Sequence, residues 1–298
     1  MDVRSVGHDR TPVPLAGDSM NAPGVYDSGD PVPLAVPPAV ADFLAASFGL
    51  IGQVALVTGS SGGIGYGLAR GLARAGARVV VNGRDASRAE AAAATLRGEG
   101  LDARAEVFDV TVESEVRAAF DRIESSAGPV SVLVNNAGIQ HRQPLLEVEL
   151  ADWERVVQTN LTASFLVARE AARRWTARGL PGKVITVSSL ASLVARVDVG
   201  PYAAAKGGVK MMTQAMAAEW SGRGIQVNAL APGHILTEMT RAKSEDPEFD
   251  SWVRGRTPAG RWGVPDDLVG AAVFLASVAS DYVSGTTLVV DGGTTAVL

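Results

Sequence analysis

Short apolar runs alternate with longer amphipathic segments from residue 53 onward. The apolar run at residues 54–58 ends at glycines, and apolar side chains then recur every three or four positions through residues 64–75. An uninterrupted apolar run is typical of a buried strand, whereas the longer spacing indicates a helix with one apolar face. The same pattern predicts further helices at residues 86–97, 112–125, 152–174, 202–220 and 266–277. It predicts seven strands, at residues 54–58, 78–81, 103–108, 132–134, 184–187, 225–230 and 287–290.

Strands that are apolar throughout and joined through helices indicate a parallel sheet with helices on both faces. We therefore predict an α/β fold, a single doubly wound Rossmann domain with a seven-stranded parallel sheet, over residues 42–298. Residues 1–41 hold seven of the fifteen prolines and lack a hydrophobic period. That composition is typical of a flexible N-terminal extension, with a docking arm as the alternative. The apolar side chains within residues 41–50 are expected to pack onto the edge of the domain.

The composition argues against several kinds of partner and site. A net charge of −5 without any basic block disfavours nucleic acid or an anionic membrane as a partner. The absence of cysteine excludes disulfides, thiolate zinc sites and thiol nucleophiles, and the three histidines lack metal-ligand spacing. No apolar run approaches the roughly 20 residues of a membrane span, and no secretory signal pattern begins the chain. We expect a cytoplasmic protein without a metal site.

A glycine-rich segment, residues 58–65, lies between the first predicted strand and the first predicted helix. Glycines there allow a tight turn and a close approach of the backbone, and the helix N-terminus offers N–H groups to a pyrophosphate. The position predicts a dinucleotide site, with a flexible turn as the alternative. The residues predicted to contact the cofactor in this segment are Gly59, Ser61, Gly63, Ile64 and Gly65.

The end of the second predicted strand bears on which nicotinamide cofactor is used. An acidic residue at this point accepts from the adenosine ribose, whereas a basic residue suits a 2′-phosphate. Here Gly83 occupies the place of the acid and Arg84 follows directly. A guanidinium binds phosphate in a forked geometry, so NADP(H) is favoured. Asp85 leaves NAD(H) as the alternative, unless it caps the next helix.

Polar and small residues follow the third and fourth predicted strands. An acid directly after a strand is placed to contact the adenine, or else to cap the following helix. Small and amide side chains at the next strand end can line a cofactor without blocking it. Asn160 lies inside an otherwise apolar helical pattern, which indicates a buried polar role. The residues predicted to line the cofactor here are Asp109, Val110, Asn136, Ala137 and Gly138.

Tyr202 and Lys206 are four residues apart in a segment that is predicted to be helical, so their side chains share one face. A phenol has a pKa of about 10, which is high for proton exchange at neutral pH. A nearby ammonium favours the phenolate and lowers that pKa. The pair therefore suggests an acid/base catalyst.

The chain resembles the short-chain dehydrogenase/reductases in the order and spacing of these motifs. The likeness extends from about residue 48 to the C-terminus. It implies hydride transfer between a nicotinamide cofactor and a carbonyl or alcohol substrate. The motifs that carry it are residues 58–65 and 135–138, Asn160, Ser189, Tyr202, Lys206 and the pair Pro232-Gly233.

The resemblance implies a role for each catalytic candidate. Tyr202 would exchange a proton with the substrate oxygen, and Ser189 would hydrogen-bond to that oxygen. Lys206 would lower the pKa of the tyrosine and hold the nicotinamide ribose. Asn160 would hold a water that links the lysine to solvent. Residues 237–256, hereafter the flap, would cover the substrate. The residues implied to flank the nicotinamide are Pro232, Gly233, Ile235 and Thr237.

The substrate is expected to be a sugar acid. Residues 135–142, 201–211, 236–239 and 256–263 resemble a branch of the family that interconverts 5-keto-D-gluconate and D-gluconate. Because such a substrate carries a carboxylate and hydroxyls, its pocket needs cations and polar groups. The candidates are Arg142, His141, Arg196, Gln140 and His234, the last standing where that branch has an aromatic residue.

Two alternatives to this function remain open from the sequence. Another carbonyl substrate, such as a 3-oxoacyl thioester or a different polyol, would use the same catalytic set. A non-catalytic nucleotide-sensing module would be expected to lack part of that set, yet Ser189, Tyr202 and Lys206 are all present. The apolar residues 271–276 and 287–290 resemble segments through which relatives associate, so the resemblance also implies a homotetramer.

Overall fold

A computed structural model describes residues 36–297, so most of the predicted extension lies outside the described residues. All seven predicted strands are present. They are β1 Val54–Val57, β2 Arg78–Gly83, β3 Ala103–Val107, β4 Val132–Asn135, β5 Gly182–Val187, β6 Ile225–Pro232 and β7 Thr287–Val290. The helices are α1 Pro38–Phe48, α2 Gly63–Arg74, α3 Ala86–Gly98, α4 Glu113–Ala127, α5 Leu150–Val157, α6 Ala163–Arg178, α7 Gly200–Trp220, α8 Glu238–Ser244, α9 Pro247–Arg256 and α10 Val269–Ala276.

The strands form one parallel sheet in the order β3-β2-β1-β4-β5-β6-β7. The chain turns back at β1 and continues to the other side at β4, so the helices that follow these strands diverge. A crevice therefore opens at the carboxyl ends of β1 and β4, which is where doubly wound sheets bind nucleotides. The predicted fold class is confirmed.

Each face of the sheet carries its own apolar core, because alternate strand residues point to opposite faces. On one face, Leu68 and Leu72 of α2 pack with Leu275 of α10. On the other face, Phe120 of α4 and Trp175 of α6 are almost completely buried. These two layers fix the strand ends that carry the site.

Three elements differ from the sequence-based expectation. The predicted helix at residues 152–174 is interrupted by a π-helical turn, Gln158–Thr162, between α5 and α6. The region after β6, where no helix was predicted before residue 266, contains the helices α8 and α9 within the flap. Helix α1 begins at Pro38, four residues before the predicted domain boundary at 42, and has no buried residue. Within residues 36–297, no helix combines the length and the apolar character that crossing a membrane requires.

Candidate active site

A cavity of about 930 Å³ opens at the carboxyl edge of the sheet. It runs from the glycine-rich segment after β1, past the ends of β2 to β6, to the underside of the flap. Every predicted site residue lines it except Asn160 and His141. One continuous cavity therefore joins the predicted cofactor site to the predicted substrate site.

Hydrogen bonds across neighbouring strands hold the glycine-rich segment in shape. The hydroxyl of Thr58 accepts from the backbone N–H groups of Asn136 and Ala137 at 3.0 and 3.1 Å. The Asn136 side-chain amide donates to the carbonyl oxygens of Thr58 and Gly59. Gly59 N–H donates in turn to the side chain of Asn82 in β2. Asn136 thus stabilises the turn around which a pyrophosphate would bind, in addition to lining the cavity.

The start of α2 fits a pyrophosphate because its glycines allow positive φ angles and a close approach to the backbone. Gly59 and Gly63 have φ of 62° and 57°, a region that favours glycine. A Cβ on Gly65 would overlap Asn136 Nδ2 and Gly59 O. The free N–H groups of the first helical turn and its dipole face the cavity, which suits an anionic ligand.

The end of β2 offers the guanidinium groups of Arg84 and Arg88 to the far end of the cavity, where they lie 3.8 Å from Asp109 and 3.6 Å from Glu238, respectively. Asp85 caps α3, its carboxylate accepting from Arg88 N–H at 3.1 Å and from the Ser87 hydroxyl at 2.6 Å. The Arg84 side chain is 75% exposed at the cavity wall. Arg88, which the sequence analysis missed, lines the same wall. The helix-capping alternative for Asp85 is confirmed, and the cations that remain suit a phosphate.

Asp109 is partly committed to local structure. Its Oδ1 accepts from the backbone N–H and the hydroxyl of Thr111 at 2.8 and 2.7 Å, which fixes the turn into α4. Its Oδ2 lies 3.8 Å from Arg84. These hydrogen bonds help to lower the pKa of Asp109, against the opposing effect of desolvation. The residue lines the cavity with Val110, so its contact with an adenine stays a prediction.

Tyr202 meets the predicted polar groups at the centre of the cavity. Burial raises the pKa of the Tyr202 phenol, while polar contacts with Ser189 and Gln140 and the charge of Arg142 oppose that rise. Burial thus outweighs these neighbouring groups in this structure, and the lowering of the phenol pKa by Lys206 stays a prediction.

Lys206 is buried below Tyr202. Its ammonium donates to the carbonyl oxygen of Val187 at the end of β5 at 2.6 Å and lies 5.7 Å from the centre of the tyrosine ring. Burial lowers the pKa of Lys206 to about 8. The lysine is held at the base of the cavity, on the side where a nicotinamide ribose is predicted.

Asn160 lies in the π-helical turn and is fully buried. Its Oδ1 accepts from Ile139 N–H and its Nδ2 donates to Ile139 O, both at 2.8 Å. The predicted buried polar role is present, and the side chain is bonded to the backbone of Ile139, a residue that lines the cavity. The contact with a water that links Lys206 to solvent stays a prediction. We assign the side chain a positioning role, because it fixes the segment that leads from Ala137 to Gln140.

Two cations approach the substrate end of the cavity from different loops. Arg142, after β4, bonds to Gln140 Oε1 at 3.3 Å. Arg196, between β5 and α7, places its guanidinium over the rings of Phe249 and Trp252 in α9, at 4.8 and 5.0 Å. His141 is a correction: it hydrogen-bonds to Gln143 and turns out of the cavity, because adjacent side chains of the extended segment point in opposite directions.

His234 is enclosed by aromatic rings. Edge-to-face contacts join it to Phe249, Trp252 and Trp262. Burial, with the charges of nearby arginines, lowers the pKa of His234 to about 4, so the ring is neutral at neutral pH. Its Nδ1 is buried without a hydrogen-bond partner among the described residues. A neutral ring nitrogen at the cavity wall suits a substrate hydroxyl.

The comparisons with known proteins decide the family. A family model described as enoyl-(acyl carrier protein) reductase matches residues 59–295. Gluconate 5-dehydrogenase of Gluconobacter oxydans (strain 621H) is 49% identical over 248 residues, which cover 83% of this chain and 96% of that protein. The chain belongs to the short-chain dehydrogenase/reductase family.

Two further members of the short-chain dehydrogenase/reductases extend the comparison. The 5-keto-D-gluconate 5-reductase of Escherichia coli (strain K12) is 49% identical over 246 residues, covering 83% of this chain and 96% of that one. A crystal structure of a gluconate 5-dehydrogenase from Burkholderia cenocepacia J2315, in complex with NADP and tartrate, is 50% identical with a TM-score of 0.82. It covers 85% of this chain and 99% of its own.

Several residues of this dehydrogenase/reductase site were missed from sequence. Helices α8 and α9 bring Lys243, Phe249 and Trp252 to the cavity, and the segment after α9 brings Trp262. The available signal was the pair Phe249 and Trp252, three residues apart after Asp246-Pro247, which begins α9 with a capping carboxylate. Among residues 36–297, no group of three or more His, Asp or Glu side chains is arranged to hold a metal ion.

Proposed function

We propose that this chain is an NADP(H)-preferring oxidoreductase that interconverts 5-keto-D-gluconate and D-gluconate. The observation that carries the proposal is the meeting of Tyr202, Ser189 and Lys206 in one cavity, with Arg142 and Arg196 on its substrate wall. The names of the relatives add support, since two of them act at the 5-position of gluconate or its keto form.

The cofactor site fits a dinucleotide that carries a 2′-phosphate. The start of α2 suits the pyrophosphate, and Arg84 and Arg88 suit the additional phosphate. The carboxylate that directly follows Arg84, Asp85, is occupied by its helix cap. A related structure contains NADP. When bound, the nicotinamide supplies or accepts the hydride, and the protein supplies position and charge.

Tyr202 is placed to be the proton donor in the direction of reduction. Burial raises the pKa of its phenol, and the phenolic O–H can donate to the carbonyl oxygen as that oxygen gains negative charge. Ser189 offers a second hydroxyl at the same point of the cavity. The Lys206 ammonium favours a phenolate after the proton has left. In oxidation the same phenolate takes the proton of the alcohol.

The substrate wall favours a small anion. The guanidinium of Arg142 is partly buried, which lowers its pKa, and the Arg196 charge adds to that effect. Two such cations near a neutral His234 suit a carboxylate with neighbouring hydroxyls. A thioester chain would gain nothing from these charges, so the 3-oxoacyl alternative is disfavoured.

A substrate panel tests the proposal. Oxidation of NADPH and of NADH is followed with 5-keto-D-gluconate, with other keto-acids, with neutral ketoses and with an acetoacetyl thioester. We expect the highest kcat/KM for NADPH with 5-keto-D-gluconate. A preference for the neutral ketoses or the thioester would overturn the substrate assignment, and a preference for NADH would overturn the cofactor assignment.

We also propose that the enzyme is a homotetramer. All four residues of the edge strand β7 are only half-buried, whereas the central strands β1, β4 and β5 are buried throughout. An edge strand with open hydrogen-bonding groups is usually covered in a stable protein. Sedimentation velocity should give a single species of four chains, and a monomer would contradict the proposal.

A further inference from the structure

Lys243 is a cation on the flap that the catalytic scheme leaves without a role. It lies on α8 and lines the cavity, with its ammonium 5.9 Å from the centre of the Phe249 ring. Arg142 and Arg196 reach the same part of the cavity from the loops after β4 and β5, and each acts on the charge of Lys243. Among residues 36–297, no acidic side chain lies within 4.0 Å of any of these three cations as an ion-pair partner, although the charge of Asp198 acts on Arg142.

Three like charges in one part of a cavity repel each other unless an anion lies between them. Burial and the charges of Arg142 and Arg196 lower the pKa of Lys243 to about 8, as expected when like charges lie close together. The acidic residue of α9 nearest to the aromatic rings, Asp250, is taken by Arg254 and by the indole of Trp262. Within residues 36–297 the chain therefore supplies no ion-pair partner to Lys243.

We propose that Lys243 is a substrate-binding residue that holds the substrate carboxylate from the flap side, opposite Arg196, and thereby selects sugar acids over neutral sugars and polyols. The inference rests on the proposed function, because it assigns the carboxylate of that substrate to this end of the cavity. It adds a specificity residue from the flap to the two arginines on the fixed wall. The flap then makes its strongest contact only with an anionic substrate.

The pH dependence of this contact is separable from that of other groups. The groups that face Lys243 are the guanidinium groups of Arg142 and Arg196, and His234, whose ring is neutral above a pKa of about 4. Lys206 also has a pKa of about 8 but lies at the base of the cavity. A change confined to position 243 therefore isolates the flap lysine.

Isothermal titration of the NADPH complex tests the proposal without turnover, because neither D-gluconate nor its neutral analogue D-gluconamide is reduced. Lys243→Met should weaken the binding of D-gluconate by about tenfold to a hundredfold, the range expected for loss of a charge-assisted hydrogen bond. D-gluconamide should bind equally to both proteins. Lys243→Arg should restore most of the affinity for the acid. Arg241→Met removes a charge from the exposed side of the same helix and should leave the affinity for both ligands unchanged.

Repeating the titration at pH 7 and pH 9 distinguishes a carboxylate contact from a structural role. The affinity of the wild type for D-gluconate, relative to Lys243→Arg, should fall about tenfold as the lysine loses its proton. Unchanged affinity in Lys243→Met, or equal losses for acid and amide, would overturn the inference, as would a wild type that does not bind D-gluconate.

The outcomes also separate this inference from the proposed function. A Lys243-dependent affinity for D-gluconate in a protein that does not reduce 5-keto-D-gluconate would leave the flap contact standing and reject the proposed reaction. Rapid reduction of 5-keto-D-gluconate with unaltered binding by Lys243→Met would reject the flap contact alone.

Discussion

Replacing Asn160 with alanine should destabilise the protein and loosen the substrate wall. The side chain hydrogen-bonds to both the N–H and the carbonyl of Ile139, each at 2.8 Å. Asn160 is fully buried, so both hydrogen bonds are shielded from solvent. Alanine leaves both backbone groups without these partners. Each unsatisfied buried group costs about 1–3 kcal/mol. We therefore expect a loss of about 3 kcal/mol in the free energy of unfolding, allowing for partial rehydration.

Urea unfolding, followed by tryptophan fluorescence and circular dichroism at one fixed protein concentration, measures this loss. Gln158→Ala is the matched control, because it lies in the same π-helical turn but is exposed and makes only a long 3.4 Å contact with Thr111 O. We expect it to change stability by less than about 0.5 kcal/mol. Asn160→Ala should also raise KM for the substrate, because Ile139 anchors the segment that carries Gln140 and Arg142. Equal stabilities for Asn160→Ala and Gln158→Ala would refute the reasoning.

The remaining predictions concern the cofactor site. Arg84→Ala should raise KM for NADPH by about tenfold to a hundredfold and leave NADH nearly unchanged; steady-state kinetics with both cofactors decide, and equal effects would reject the phosphate contact. Gly65→Ala should cost about 1–3 kcal/mol in urea unfolding because its Cβ overlaps Asn136 and Gly59. Gly207→Ala, in open space within α7, should instead stabilise by about 0.5–1 kcal/mol, and similar effects of the two substitutions would argue against the overlap.

The elements that could be predicted from the sequence are those determined by the pattern of neighbouring residues. Apolar strands such as β1 and β5 are buried on both faces, so their composition alone marks them. The glycine-rich segment and the pair Tyr202 and Lys206 depend on backbone conformation and helical spacing, which are also local. These features place the cofactor and the proton donor without knowledge of distant contacts.

The elements that the sequence missed depend on distant contacts. The π-helical turn keeps the apolar period of a continuous helix, and only the bonds from Asn160 to Ile139, 21 residues away, mark its place. The guanidinium of Arg196 lies over the ring of Phe249, 53 residues later in the chain, so this contact could not be deduced from the sequence of either segment. The raised pKa of Tyr202 depends on burial, which spacing to a lysine does not report.

The most direct test of the central claim is the rate of Tyr202→Phe with NADPH and 5-keto-D-gluconate. The substitution removes only the phenolic oxygen, so NADPH should still bind with unchanged affinity. Loss of a positioned proton donor typically costs about a hundredfold to ten-thousandfold in rate. We predict a fall in kcat/KM of at least that size. A variant that binds NADPH and reduces 5-keto-D-gluconate at close to the wild-type rate would contradict the account.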